Sequence, residues 1–232
     1  MSKPTKKKKT QAHSAVPLTD KQYLRAGMAR RLPIAECWAS NNWKVAALEL
    51  VSVVVTRQHK NGNYTVGTYL VDMKSVGLKR TTYRVNYPAG EYGPMLAGFS
   101  ELQTMERVEY AVAHNVIYGA IAYAADLGIR PLHAAWAISQ YILDEDTDDI
   151  ELIELEYGLE GRPFYVGGPY DKPADILAKL DKAVGPGNYG YVAYDPSFHS
   201  LAPLMGSVFD NDDNDDAVDE SNDHWQEADV VE

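Results

Sequence analysis

The stretch ALELVSVVVTRQHKNGNYTVGTYLVD, residues 47–72, decides the fold that we expect for this chain. Two runs rich in β-branched residues flank Asn61 and Gly62, a pair that suits a type I′ turn because both residues tolerate a positive φ angle. The pattern therefore predicts an antiparallel β-hairpin with a strand at 48–58, a type I′ turn at 60–63 and a strand at 64–72.

Weaker patterns on both sides of the hairpin predict further elements. The predicted elements are, in chain order, a basic helix at 20–31 with Thr19 as its N-cap, the hairpin, a third strand at 81–87 that ends at Pro88, a long helical region at 92–128 that ends at Gly128, a helix at 133–143, strands within 150–158 and 160–168, a helix at 172–184 with Pro173 in its first turn, and a strand at 188–195. Because the strands are clustered instead of alternating singly with helices, we predict an α+β fold. In this fold an antiparallel, hairpin-based sheet packs against a long Ala-rich helix and two or three shorter helices.

Charged residues are concentrated at the two ends of the chain. Residues 1–31 hold nine Lys or Arg against one Asp, whereas residues 210–232 hold eleven Asp or Glu and no Lys or Arg. Highly charged segments with few apolar residues cannot bury enough surface to fold alone. We therefore predict a disordered basic arm at 1–18, a single α+β domain at 19–209 and a disordered acidic tail at 210–232.

The composition indicates a cytoplasmic protein. With 232 residues, 45% of them hydrophobic, the chain can build a core without disulfides or metals. Cys37 has no second cysteine to pair with, which is typical of a reducing compartment. No apolar run approaches the roughly 18 residues of a membrane span, and no apolar signal segment follows the basic N-terminus. We expect no membrane association.

Two short motifs resemble ligand sites but lack the required context. GPGNYG at 185–190 matches a dinucleotide-binding string, yet that site needs the string between a strand and a following helix, and here the predicted order is reversed. DEDTDD at 144–149 has the first carboxylates of a calcium loop, but Asp149 stands where glycine is needed and Leu155 where a bidentate Glu is needed. We predict no nucleotide cofactor and no metal site there, but a solvated acidic linker, with loose binding of a divalent ion as the alternative.

The end of the hairpin is the first candidate for chemistry. Asp72 ends the second predicted strand, and Lys74 and Lys79 follow in a basic loop. A carboxylate beside a lysine can act as an acid–base site if both groups are desolvated. An ordinary ion pair at a surface strand end would have the same sequence, and both interpretations stay open at this point.

The long helix offers a second candidate. Tyr110, His114 and Tyr118 are spaced four residues apart and therefore lie on one stripe of the helix, with Asn115 beside it. Two phenols flanking an imidazole could bind a ligand or move a proton, since histidine titrates near neutral pH. The alternative is a hydrogen-bonded core histidine with tyrosine hydroxyls at the rim of the core.

Four blocks of the sequence resemble an uncharacterised family of bacterial cytosolic proteins. The resemblance is collinear over about residues 20–195 and includes a GxYLVD…G-x-K block and an HN-x-x-YGA-x-x-YA helix block. The blocks are NGNYTVGTYLVDMKSVGLK at 61–79, AHNVIYGAIAYAADLGIRPLH at 113–133, QYILDEDTDDIELIELEYG at 140–158 and GRPFYVGGPYD at 161–171. The resemblance implies an order of motifs and no reaction. Relatives often have Cys-Leu-Gly where this chain has Ser75-Val76-Gly77, and an acidic or amide residue at the position of Arg80, so no role of that cysteine carries over.

The charge distribution favours a non-enzymatic binding or regulatory module, since the chain has no recognised catalytic motif. A basic arm and helix can contact nucleic-acid phosphates in a salt-sensitive way, and an acidic tail can compete with them. The residues predicted to contact nucleic acid are Lys6, Lys7, Lys8, Lys9, Arg25, Arg30 and Arg31. Binding of a partner protein is an equally open form of this hypothesis, and the tails could also serve solubility alone.

The alternative function is a metal-assisted hydrolase, such as a nuclease. It would use Asp72, His114, Glu154 and Glu156, because hard divalent cations take oxygen ligands from clustered carboxylates. The spacing of these residues does not require them to meet.

Overall fold

The computed structural model describes residues 17–44, 49–131, 133–168 and 171–193. In chain order the elements are α1 (Asp20–Arg25), β1 (Ile34–Ser40), β2 (Val51–Gln58), β3 (Tyr64–Asp72), β4 (Gly77–Tyr87), α2 (Ala89–Leu102), β5 (Met105–Val108), α3 (Tyr110–Asp126), α4 (Trp136–Ser139), β6 (Phe164–Val166), α5 (Pro173–Val184) and β7 (Gly190–Val192). The predicted acidic tail at 210–232 and all of the predicted basic arm except residues 17 and 18 lie outside the described residues.

A five-stranded antiparallel sheet is the centre of the described structure, with the strand order β4-β3-β2-β1-β5. The predicted hairpin is confirmed as β2 and β3, which pair from Val51 opposite Val71 to Gln58 opposite Tyr64. The predicted third strand is confirmed as part of β4, which ends before Pro88 but already begins at the predicted loop. The sheet together with its helices confirms the predicted α+β fold.

The hairpin turn differs from the predicted type I′ turn. The amide of Gly62 donates to the carbonyl of His59 at 3.0 Å, and the amide of His59 donates to the carbonyl of Asn63 at 2.8 Å. Gly62 has a φ of +88°, whereas Asn61 is not among the described non-glycine residues with positive φ. The loop therefore has three residues instead of two, the arrangement in which a type I turn is followed by a left-handed glycine.

The predicted helical region at 92–128 is wrong in its middle. α2 ends at Leu102, the chain becomes extended at Gln103, and β5 pairs with β1 before α3 begins. β1 was also not predicted from the sequence. β5 has only four residues, and the apolar residues of β1 do not alternate clearly enough to distinguish it from a helix or a loop.

The two long helices pack on opposite faces of the sheet. The α3 face carries a core whose buried residues include Val53, Val55, Tyr69, Val71, Leu78, Ala113, Val116, Ile117 and Ala120. The α2 face carries a smaller core with Val54, Val66, Leu70, Tyr92 and Phe99. Because side chains of a strand alternate between faces, the nearly unbroken valine run of β2 supplies both cores. α3 is thus largely buried, and the sheet packs against this Ala-rich helix as predicted.

A third apolar cluster joins the end of α3 to the C-terminal elements. It contains Val76 from the turn between β3 and β4, Ala124 from α3, Tyr165 from β6 and Leu180 from α5. β6 and β7 pair in parallel, with α5 between them in the chain. The prediction that 150–158 and 160–168 form partner strands is wrong.

Asn115 explains why the predicted strand within 150–158 is absent. Its amide nitrogen donates to the carbonyl of Glu151 at 2.9 Å, and its amide oxygen accepts the backbone amide of Ile153 at 3.1 Å. The hydroxyl of Tyr157 donates to the carbonyl of Asn115 at 2.9 Å. The segment forms no strand, and a side chain of α3 takes hydrogen bonds that a neighbouring strand would otherwise make.

The predicted helix ends are confirmed for three helices. The hydroxyl of Thr19 accepts the amide of Gln22 and closes a capping box at the start of α1. Pro173 opens α5, and Gly128 follows α3 with a φ of +72°. The basic helix is shorter than the predicted 20–31. It ends at Arg25, and Gly27 follows in the left-handed region with a φ of +66°.

Replacing Gly77 by Ala tests the close contact between the sheet and α3. A Cβ atom at Gly77 would lie 2.9 Å from the carbonyl oxygen of Ala120 and 2.9 Å from the Cβ of Ala124, and its φ is +70°. The left-handed strain and the overpacking should lower the free energy of unfolding by about 2–4 kcal/mol, measured by urea denaturation. Gly93→Ala, in open space on α2, is the control and should change it by less than about 1 kcal/mol. Equal effects of the two substitutions would contradict this packing.

Candidate functional site

The turn between β3 and β4 is organised around the carboxylate of Asp72, which is 6% exposed. One of its oxygens accepts the backbone amide of Lys74 at 2.7 Å and that of Ser75 at 3.3 Å. The other accepts the amide of Val76 at 3.3 Å and the hydroxyl of Ser75 at 3.2 Å. Burial raises the pKa of Asp72, although these hydrogen bonds and a nearby lysine charge oppose the rise. Asp72 therefore closes its own turn, and its oxygens are already engaged.

Lys74 is buried in this same turn, with 5% of its surface exposed. The charges that act on its amine come from Glu156 and Asp72. Within the described part of the chain, no hydrogen bond engages its side-chain nitrogen. Burial lowers the pKa of Lys74, and the two carboxylates only partly offset this effect. The acid–base interpretation requires a carboxylate and a lysine that are both buried. Asp72 and Lys74 are both largely buried.

Lys79 pairs with a different carboxylate from the one beside it in the sequence. Its ammonium donates to Oδ2 of Asp171 at 2.8 Å. The same oxygen accepts the amide of Gly168 at 2.8 Å and the hydroxyl of Tyr165 at 3.1 Å. The positive charge of Lys79 also opposes the rise in the pKa of Asp72, so Lys79 interacts electrostatically with both carboxylates. This ion pair connects β4 to the loop that follows β6.

The predicted aromatic stripe on α3 is present. The rings of Tyr110 and His114 meet edge to face with centroids 5.7 Å apart, and those of His114 and Tyr118 stack at 4.5 Å. Trp136 extends the row, 5.7 Å from Tyr118. His114 is 1% exposed, and its Nε2 lies 3.3 Å from the carbonyl oxygen of Asp144. Burial lowers the pKa of His114 and raises that of Tyr118 to about 12. The geometry is that of a core histidine with a backbone partner.

Arg57 is the main residue that sequence reasoning missed. Only 2% of it is exposed, and its guanidinium donates to the carbonyls of Ile142 at 2.6 Å and Leu32 at 2.8 Å. It also forms an ion pair with Asp144 at 2.6 Å. The sequence did contain a signal for the burial of Arg57. In the predicted strand it lies on the same face as Val53 and Val55, which pack against α3. A charged residue in that register needs buried partners.

The predicted solvated linker at 144–149 is exposed from Glu145 onward, whereas Asp144 is partly buried and held by an ion pair. Its first carboxylate pairs with the buried arginine, and Glu145 pairs with Arg30 at 2.6 Å. Asp146 lies 3.9 Å from Nδ1 of His114. Asp144 and Glu145 therefore tie the start of this segment to the body, and Arg30 takes part in holding it.

These contacts divide the four predicted catalytic candidates into two groups. Asp72 and Lys79 lie at the turn between β3 and β4, while His114 and Tyr118 lie in the aromatic row beside the acidic segment. Among the described residues, no three His, Cys, Asp or Glu side chains gather in a way that could hold a metal ion.

The two glutamates invoked for a hydrolase lie on the segment held by Asn115. Glu154 and Glu156 are both exposed, and Glu156 acts on Lys74 rather than on His114. The described geometry therefore offers no support for the metal-assisted hydrolase.

No family model, curated protein or solved structure matches the chain. The resemblance of its four sequence blocks to a bacterial family stays a prediction, as does a cytoplasmic location. Within the described ranges, no helix combines the length and apolar character needed to cross a membrane.

Replacing Asp72 by Ala should destabilise the protein by about 2–4 kcal/mol, because buried donors of the turn lose their acceptor. The free energy of unfolding in urea measures this effect. Asp126→Ala, an exposed carboxylate on α3, is the matched control and should change it by less than about 0.5 kcal/mol. A small effect of Asp72→Ala would show that the turn does not depend on this carboxylate.

The buried His114 should make the protein less stable in mild acid. Since burial holds its pKa in the folded state below the ordinary histidine value of about 6.5, the unfolded chain binds the proton more readily. Its contribution to stability is complete above pH 6.5 and is lost as the pH falls through the lower folded pKa. His114→Phe should reduce the slope of unfolding free energy against pH below 6.5. His59 and His133, whose pKa values burial also lowers, keep the slope from vanishing. An unchanged slope would contradict this assignment.

Proposed function

We propose that this chain is a non-enzymatic binding module that contacts nucleic-acid phosphates through its basic N-terminal segment. The observation that carries the proposal is the strong separation of charge, with nine Lys or Arg against one Asp in residues 1–31. A dense group of cations supplies affinity that does not depend on nucleotide sequence, because binding releases counterions from the phosphates.

Two of the three arginines predicted to contact nucleic acid are accessible for that role. Arg25 and Arg31 are exposed to solvent. Arg30, in contrast, donates to the carbonyl of Leu143 at 2.6 Å and pairs with Glu145, so it contributes to the fold. We therefore assign phosphate contact to Arg25 and Arg31 together with the basic residues that precede α1, namely Lys6, Lys7, Lys8 and Lys9.

The acidic segment at 210–232 is the proposed regulator of this binding. It carries eleven carboxylates and no Lys or Arg, so it competes with nucleic acid for the same cations. Competition within one chain acts at a high effective concentration, on the order of millimolar for a flexible connection. Removing the segment should therefore strengthen binding without adding any contact.

Fluorescence anisotropy with a labelled duplex DNA tests the basic surface. The double variant Arg25→Gln/Arg31→Gln should bind more weakly at low salt. The slope of log K against log salt should fall by about 0.9 for each phosphate contact that is lost. Lys179→Gln/Lys182→Gln, which removes the same charge from exposed positions of α5, is the matched control and should bind like the original protein. Equal weakening by both variants would reduce the effect to net charge and contradict a binding surface at α1.

Deletion of residues 210–232 tests the regulatory role in the same assay. We expect tighter binding at low salt, and a difference that shrinks as salt screens the charges. An unchanged affinity would mean that the acidic residues do not compete, and would leave solubility as their role. No binding by either form would reject nucleic acid as the ligand and favour a protein partner.

A further inference from the structure

β7 is an open edge of the smaller sheet. Among the strands that the structure describes, its one neighbour is β6, which pairs with it in parallel. The amide of Gly190 donates to the carbonyl of Pro163, and the carbonyl of Val192 accepts the amide of Gly167, both at 2.9 Å. Because backbone groups of successive strand residues point to opposite sides, the amide and carbonyl of Tyr191 face away from β6. Such an edge is a template for a further strand.

The side chains at this edge are apolar and exposed. Tyr191 is 40% exposed and Val192 is 47% exposed, and the ring of Tyr191 stacks on that of Tyr165 with centroids 5.5 Å apart. Proteins usually cover or blunt an edge of this kind, because free backbone groups beside apolar side chains promote pairing with other chains. The edge of β7 therefore fits an extended polypeptide segment that carries an apolar side chain.

The sequence directly after β7 contains such a segment. The structure describes the chain up to residue 193, so the following residues start at the edge itself. Asp195 and Pro196 are the residue types favoured at the first two positions of a type I turn, on which four-residue hairpin loops are most often built. A loop at 195–198 would place the sequence HSLAP, residues 199–203, alongside β7.

We propose that residues 199–203 bind the open edge of β7 as an antiparallel strand. In the register set by the loop, Tyr191 and Ala202 exchange backbone hydrogen bonds. Leu201 lies opposite Val192 in the adjacent non-hydrogen-bonded pair, where side chains approach most closely. The exposed valine thereby gains an apolar neighbour.

Pro203 fits the same register. It falls opposite Gly190, whose amide is used by β6, and its own nitrogen points away from β7, where no donor is required. A proline at this position also leaves the new outer edge without a donor and so discourages further strand addition. The turn residues, the apolar pair and the proline therefore agree on one register.

Residues 199–203 are a better occupant of this edge than a second copy of the chain. A four-residue loop holds them beside β7, so the entropy cost of closing the contact is small. A second copy would have to bind a short edge from solution. The inference does not depend on the proposed binding of nucleic acid, although the bound strand would also fix where the acidic segment at 210–232 leaves the body.

Paired cysteines test the register in the full chain. In Val192→Cys/Leu201→Cys the two thiols share one face of a non-hydrogen-bonded pair, whose Cα atoms are about 4.5 Å apart and within disulfide range. In Val192→Cys/Ser200→Cys, the matched control, the second thiol lies on the opposite face. Cys37, the native cysteine, is buried and does not compete.

The rate of disulfide formation with oxidised glutathione is followed by peptide mass spectrometry and non-reducing electrophoresis. We expect the intramolecular bond to form at least about tenfold faster in Val192→Cys/Leu201→Cys than in the control, because only its thiols are aligned. Equal rates would indicate that residues 199–203 are not paired with β7 and would overturn the proposal. A bond between two copies in place of the intramolecular one would assign the edge to a second copy and overturn it as well.

Hydrogen exchange measured by NMR tests the same contact without cysteines. The amide of Tyr191 should exchange at least about tenfold more slowly in the original chain than in Leu201→Asp, where a charge beside Val192 weakens the pairing. Val208→Asp adds the same charge beyond the paired residues and should leave the Tyr191 rate unchanged. The amide of Phe164, which donates to the carbonyl of Lys74, should exchange alike in all three proteins. Equal Tyr191 rates in the original chain and Leu201→Asp would contradict the proposed strand.

Discussion

The close approach of α3 to the sheet is the constraint on which the rest of the structure depends. Gly77 and Ala120 lie so close that even one added methyl group would collide. This distance lets the small residues along α3 fill the space above the valines of β2 and the residues of β3 and β4. The same helix continues into the C-terminal cluster through Ala124. Two of the three apolar clusters therefore rest on one helix, and a shift of that helix would disturb both.

Polar side chains of α3 and β2 bind the segment that follows α4 and hold it against this core. Asn115 holds the backbone of Glu151 and Ile153, and Tyr110 accepts the backbone amide of Asp144 at 2.7 Å. Arg57 completes the anchor of the acidic segment from the sheet side. Breaking a buried ion pair of this kind typically costs about 3–5 kcal/mol, because the remaining charge is left without a partner.

The local features of the fold could be predicted, whereas the pairing of distant segments could not. The hairpin at Asn61, the cap at Thr19, Gly128 after α3 and Pro173 at the start of α5 each depend on a few consecutive residues. β5 is too short, and β1 too irregular in its apolar pattern, for periodicity to identify them, and β5 is a strand by its pairing with β1. The site follows the same division. The turn closed by Asp72 involves residues two to four positions away, whereas the bonds of Lys79 to Asp171 and of Arg57 to Asp144 span 92 and 87 residues.

The amino-acid sequence by itself determined the hairpin, the buried Ala-rich helix, the α+β class and the opposite charges of the two ends, because φ preferences, capping and hydrophobic periodicity act over short distances. Only the tertiary structure decided which carboxylate meets which cation, which face of the sheet each long helix covers, and that the predicted catalytic candidates fall into two groups. The physical reason is that burial depends on every segment at once. Arg57, for example, is buried with partners only because the fold brings the carbonyl of Ile142 and the carboxylate of Asp144 to it.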